Sequence, residues 1–195
     1  MNADRTLDEL KAVDRAVYSA IANTPTASLD EPIRRLSDAA NYSRLWIGIA
    51  AGLAAIRGRR GRRAAASGLF AVAVTSAIVN QGVKRAYPRQ RPDRDLEQVA
   101  GARRVPMPGS TSFPSGHSAS GFAFATAAGR FVPEAAAPLH LLAAAVAYSR
   151  IHTGVHYPGD ALIGSLIGAS IGTVVGTMTT RMLRSRDSGK TGATP

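Results

Sequence analysis

Ser149-Arg150-Ile151-His152-Thr153-Gly154-Val155-His156-Tyr157-Pro158-Gly159-Asp160 runs directly into residues 161–180, which carry no charged side chain. An uncharged run of that length makes about 30 Å of helix, the thickness of a bilayer's hydrocarbon core. Within it, Gly164, Gly168, Gly172 and Gly176 recur at every fourth position. Such a stripe lets a neighbouring backbone come close, within the chain or between chains. An arginine, two histidines and an aspartate at the mouth of a membrane segment are costly to keep there, and so mark a functional site. The expectation is an all-α, integral-membrane helical bundle with its chemistry at one end of the helices.

Working outward, further apolar runs lie at 39–56, 64–83, 118–132 and 134–148, for about five to six transmembrane helices. In the first, Trp46 is placed near an interface, Arg44 can extend outward, and Gly48 and Gly52 have a close-packing spacing. Arg57, Arg59, Arg60, Arg62 and Arg63 crowd the next turn. They read as a cytoplasmic turn obeying the positive-inside rule rather than as a nucleic-acid site. Counting sides alternately, that turn, Arg130 and the Arg181, Arg184 and Arg186 tail share one side. Residues 84–117 and 150–160 share the other, extracytoplasmic side, although the 84–104 segment is itself basic. His140 has no visible partner and reads as a packed or interfacial residue.

Residues 1–40 are read as N-terminal amphipathic or surface helices, 41–183 as the membrane domain and 184–195 as a disordered basic tail. Leu7, Leu10, Val13, Val17 and Ile21 form one helical face. Thr24-Pro25-Thr26 breaks it, and Ser28-Leu29-Asp30-Glu31 with Pro32 looks like the start of a second helix. This hairpin is expected on the membrane surface or against the bundle, without chemistry of its own. No cleavable leader is visible at Met1–Arg5. The formal charge of +11 fits an anionic membrane surface, a phosphorylated substrate or nucleic acid. The absence of cysteine excludes disulfides, zinc–cysteine sites and a thiol nucleophile.

Three stretches carry chemistry. Lys84 to Pro92 offers a point cation and planar guanidinium forks, which suit a tetrahedral oxyanion. Pro114-Ser115-Gly116-His117 opens a helix whose free N–H groups can cradle a phosphate, with His117 beside it as a proton donor. In the opening stretch, His152, His156 and Asp160 fall four apart, a metal-ligand spacing. Pro158 and Gly159 are expected to stop a helix before Asp160, so that its carboxylate folds back to orient a nucleophilic or basic histidine.

Together the stretches resemble the type 2 phosphatidic acid phosphatase family, whose site is shared with soluble acid phosphatases and vanadium haloperoxidases. Its three patterns read here as Lys84…Arg91-Pro92, Pro114-Ser115-Gly116-His117 and Ser149-Arg150…His156…Asp160. The resemblance implies a catalytic set of His156 as nucleophile, Asp160 as its orienting partner and His117 as general acid. It implies phosphate binding by Lys84, Arg91, Ser115, Gly116 and Arg150. No metal or other cofactor is implied, and His152 matches no catalytic position. The expected activity is hydrolysis of a lipid phosphate or diphosphate through a phosphohistidine. Candidate substrates are phosphatidic acid, phosphatidylglycerol phosphate, polyprenyl diphosphate and a polyprenyl-phosphoryl sugar phosphate. The partners are membrane lipids rather than nucleic acid, and the Ala, Gly and Arg content points to a GC-rich bacterial genome. Two other readings remain: a non-catalytic basic scaffold on anionic lipid, and a vanadate-dependent oxidant, which the membrane spans disfavour.

Overall fold

The computed structural model describes residues 3–191, with side chains over 5–185, and every regular element among them is helical. Of the expected tail at 184–195, residues 192–195 lie outside the described residues. The chain opens with a hairpin of α1 (Ala3–Asn23) and α2 (Ala27–Ala39). Thr26, not Ser28, precedes α2, and its hydroxyl donates to Asp30 Oδ1 at 2.7 Å. The apolar face expected on α1 forms but points outward: Leu7, Leu10 and Val13 remain 53%, 60% and 61% exposed. A neighbouring stripe of α1 meets the protein through Asp14, Tyr18 and Ser19.

A 3₁₀ turn at Asn41–Ser43, with Tyr42 and Ser43 at positive φ, separates α2 from α3 (Arg44–Ile56). α3 is therefore shorter than the expected 39–56 span. Trp46 is buried inside the bundle, with its ring 5.4 Å from that of Phe124. Gly48 and Gly52 bring nothing close, since no atom lies within 4 Å of a Cβ built on either. α4 (Gly58–Ala77) begins inside the arginine run, so the turn is confined to Arg57 and Gly58. It widens into a π-helical turn at Ile78–Val83 and ends in α5 (Lys84–Ala86), a continuous helix of 29 residues. π turns shift the helical register and recur at functional sites. Here the turn leads straight into Lys84.

After a long irregular segment come α6 (Gly116–Gly129), α7 (Pro133–His152) and α8 (Pro158–Thr191). Pro158 does not stop a helix but begins one: it occupies the first position of α8, where its missing N–H costs nothing. Asp160 sits in the first turn and accepts the Tyr157 N–H at 2.9 Å, the carboxylate half of a capping box. Two helices, Gly58–Ala86 and Pro158–Ser185, are long and apolar enough to cross a membrane. α6 is shorter, at 14 residues, and forms the centre of the bundle against α4, α7 and α8. Ala119, Ala123, Phe124, Ala127 and Ala128 on it are all fully buried. His140 does find partners: its Nδ1 lies 2.8 Å from Ala136 O, and the Thr126 hydroxyl 3.1 Å from its Nε2.

The glycine stripe packs within the chain. A Cβ on Gly164, Gly168 or Gly172 would stand 2.4, 2.0 or 2.6 Å from the carbonyl oxygen of Ser115, Ala119 or Ala123 respectively. The two ends of the bundle differ in character. At one, Arg57 pairs with Glu134 at 3.3 Å, Arg60 reaches Phe131 O at 3.2 Å, and Gly176 meets Arg130. At the other lie Lys84, His117 and the 153–157 turn.

Replacing Gly168 with Val should destabilise the protein by ~3 kcal/mol or prevent its folding, because overpacking against backbone cannot relax by a rotamer change. Gly48→Ala should leave thermal stability within ~0.5 kcal/mol or raise it slightly. Melting curves in detergent check both.

Candidate active site

The first turn of α8 and the start of α6 are tied together. Ser115 N–H donates to the Asp160 carbonyl at 2.9 Å, and the Asp160 carboxylate accepts from the Ser112 hydroxyl just upstream. Ser115 caps α6 through its side chain, accepting from the Ser118 hydroxyl at 2.9 Å and the Ser118 N–H at 3.4 Å. Its own hydroxyl hydrogen is left to donate elsewhere. His156 sits in the 153–157 turn and is 2% exposed. Its Nδ1 is 3.6 Å from Asp160 Oδ2, while Arg91 Nη1 lies 3.3 Å from Nε2. Arginine can only donate, so Nε2 carries the lone pair and Nδ1–H faces the carboxylate. Contacts of this kind are often long without substrate and tighten with it.

Lys84, Arg91, Gly116, His117 and His156 line one cavity of about 310 Å³. Arg91 is held in place by carbonyls, donating to Val155 O at 2.6 Å and to Ser110 O at 2.9 Å. Lys84 Nζ and Arg91 Nη2 both donate to the Ser110 hydroxyl, at 3.0 and 3.2 Å. His117 Nε2 is 3.0 Å from Asn41 Oδ1, which fixes its ring from the turn that follows α2. Ser115, Arg150 and Asp160 lie behind this cavity rather than on its wall. Arg150 is buried and donates to the Ser37 hydroxyl at 2.5 Å.

His152 turns away from His156. Its Nε2 lies 3.1 Å from Asp30 Oδ1, which also accepts Arg103 Nε at 2.9 Å. Arg103 further reaches Ala22 O, Thr24 O and Thr26, so this buried group clasps the N-terminal hairpin onto the bundle. Burial works against the ionised Asp30. The Thr26 hydrogen bond and then Arg103 outweigh it and hold the carboxyl below the usual range.

The sequence reading left out Asp14, Ser37, Asn41, Arg89, Ser110 and Ser112. Asn41 and Ser37 are single polar residues after the second helix and on it, with no motif around them. Arg89 lies inside the Lys84–Pro92 stretch but carries no distinguishing spacing. It donates to Asp160 Oδ1 at 2.9 Å and to Asp14 Oδ2 at 2.7 Å.

Burial pushes the His156 imidazole down to about 4, opposed by Asp160 and reinforced by the cationic Arg91 and Arg150. Between its ordinary 6.5 and that value, the unfolded chain binds a proton that the folded chain does not. This residue's contribution to stability is therefore complete above pH 6.5 and is lost as pH falls toward 4. Activity needing neutral His156 should keep its acid limb well below pH 6.5. A kcat/KM–pH profile with a limb near 6.5 would contradict that environment.

The PAP2 superfamily matches this chain over residues 65–183. The decaprenylphosphoryl-5-phosphoribose phosphatase of Mycobacterium tuberculosis is 36% identical over 156 residues, covering 78% of this chain and 81% of that protein. The enzyme of the same name from Mycolicibacterium smegmatis is 35% identical over 157 residues, covering 78% and 79%. Among solved structures, Aquifex aeolicus LpxE aligns with a TM-score of 0.65 at 24% identity, over 87% of this chain and 95% of that one. The transmembrane PAP2-type phosphatidylglycerolphosphate phosphatase of Bacillus subtilis aligns with a TM-score of 0.68 at 22% identity, over 89% and 87%. The chain belongs to the PAP2 superfamily.

Proposed function

We propose that this PAP2 superfamily member hydrolyses the terminal phosphate of a lipid-linked headgroup, with a polyprenyl-phosphoryl sugar phosphate as its substrate. The observation that carries the reaction is the cavity of about 310 Å³ whose wall brings together Lys84, Arg91, His117 and His156. The two relatives that are 35–36% identical, both decaprenylphosphoryl-5-phosphoribose phosphatases, support the substrate class. A second groove of about 900 Å³ shares Arg91 with the cavity and is bounded by Lys11, Arg15, Tyr87 and Phe113. Its cations and rings suit a sugar and the phosphodiester that links it to lipid.

In the reaction, His156 Nε2 bonds to phosphorus as the ester P–O bond breaks, and His117 gives a proton to the departing sugar oxygen. Water then attacks the phosphohistidine, His117 takes up the water's proton, and the N–P bond breaks to free phosphate. Asp160 holds Nδ1–H and stabilises the cationic ring of the intermediate. Lys84, Arg91, the Gly116 N–H, Ser115 and, from behind, Arg150 neutralise the phosphoryl oxygens as charge develops on them. Those side chains supply the positive charge, so the reaction needs no metal.

The bundle is read as five membrane crossings, α3, α4, α6, α7 and α8, with the chemistry at one end. The outward apolar face of α1 lies at that end, where it can rest on the bilayer interface. The arginines at the opposite end support, by the positive-inside rule, a site on the extracytoplasmic side of a bacterial plasma membrane.

Purified protein in detergent with EDTA should release phosphate from a polyprenyl-phosphoryl pentose phosphate faster than from phosphatidic acid or phosphatidylglycerol phosphate. His156→Ala should lower that rate at least ~1,000-fold and His117→Ala by about 10²–10⁴-fold. Release that survives His156→Ala would overturn the mechanism, and a preference for phosphatidic acid would overturn the substrate.

A further inference from the structure

We propose that Asp14 and Arg89 form a positioning relay that sets the basicity of the Asp160–His156 pair, which makes the N-terminal helix part of the active site. The inference rests on the reading of His156 as nucleophile. Arg89 is fixed on three sides: Nη1 to Asp160 Oδ1 at 2.9 Å, Nη2 to Asp14 Oδ2 at 2.7 Å, and its guanidinium 4.1 Å from the Tyr157 ring centre. Asp14 also accepts the Gly159 N–H through Oδ1 at 2.6 Å. It therefore grips both the cation that touches Asp160 and the backbone turn that presents Asp160. A Cβ on Gly159 would stand 3.0 Å from Asp14 Oδ2, which shows how tightly the carboxylate is seated.

The arrangement is that of one cation shared between two carboxylates. The side chains of Asp160, Asp14 and Arg89 are 0%, 12% and 26% exposed, so their charges are poorly screened by solvent. Asp14 draws Arg89 partly away from Asp160 and leaves that carboxylate electron-rich enough to support a cationic imidazole. Without Asp14, Arg89 would belong to Asp160 alone and weaken it. Without Arg89, Asp160 would be held by Ser112, the Tyr157 N–H and His156 only, and would become more basic. His156 itself is faced by Asp160 from α8, Arg91 from the segment before α6, Arg150 from α7 and His117 from α6. None of those four groups changes in either variant.

Full-length Asp14→Asn and Arg89→Gln proteins would be assayed in detergent with a soluble aryl phosphate, with kcat and KM measured across pH. Melting curves would verify the folded fraction at each pH. Asp14→Asn should lower kcat about tenfold with KM within about twofold, and Asp14→Glu should restore most of the loss. The acid limb should move in opposite directions, downward in Asp14→Asn and upward by about half a pH unit or more in Arg89→Gln. A clamp that merely holds α1 on the bundle would lower the melting temperature and leave both limbs in place. Limbs that do not move, or that move the same way, overturn the relay. If Asp14→Asn fails to fold, the upward shift in Arg89→Gln decides. His156→Ala, run alongside, separates the two failures. An active His156→Ala protein defeats the underlying mechanism, whereas an inactive one with unmoved limbs defeats only the relay.

Discussion

The carbonyl oxygens of Ser115, just before α6, and of Ala119 and Ala123 within it press against three glycines of α8, and the geometry of the site follows from that contact. The first of these carbonyls belongs to Ser115, one residue before the helix that carries His117. The glycine opposite it, Gly164, lies one turn beyond Asp160. The contact thus begins at the site and extends down the bundle, and the Ser115 N–H adds a direct hydrogen bond to the Asp160 carbonyl. A side chain at any of the three glycines would push the helices apart and separate His117 from His156. Close packing of small residues is what two helices use where lipid offers no hydrophobic contrast to drive them together.

The second constraint is electrostatic. Lys84, Arg91 and Arg150 stand near one another with few acidic partners, an arrangement that is costly unless polar groups compensate it. Backbone carbonyls do most of this: Val155 O, Ser110 O and Thr111 O all face Arg91. Carbonyl dipoles orient the cations without cancelling their charge, so the cavity stays positive and suits an anion. The true carboxylates, Asp160, Asp14 and Asp30, lie behind the cavity, where they hold His156, Arg89 and Arg103. The N-terminal hairpin thereby contributes Asp14, Asp30 and Ser37, and the turn after it Asn41, to the surroundings of the site.

That hairpin is also where the sequence was least informative. The three motifs were readable because the chemistry needs particular residue types at fixed local spacing, and the glycine stripe because a fourfold period is visible in one window. Asp14 meets Arg89 across 75 positions and His152 meets Asp30 across 122. Neither pair leaves a local pattern. The outward face of α1 was visible in its period, but not the direction it points. Gly48 and Gly52 misled for a related reason. A small-residue pair is a tendency of composition, and in α3 both glycines face open space while Trp46 enters the core. Pro158 misled because a proline ends one helix or begins the next with the same local sequence.

The most direct test of the account is to trap the phosphoryl group on the enzyme. The aryloxide of an aryl phosphate leaves readily without a proton donor, so a His117→Asn protein should still transfer phosphate to His156 but hydrolyse the phosphohistidine slowly. Mass spectrometry of the rapidly quenched, base-treated variant should find an acid-labile phosphoryl group on the peptide that contains His156, and none after His156→Ala. Steady turnover of the aryl phosphate with no phosphorylated histidine would contradict the central claim, because water would then be attacking phosphorus directly.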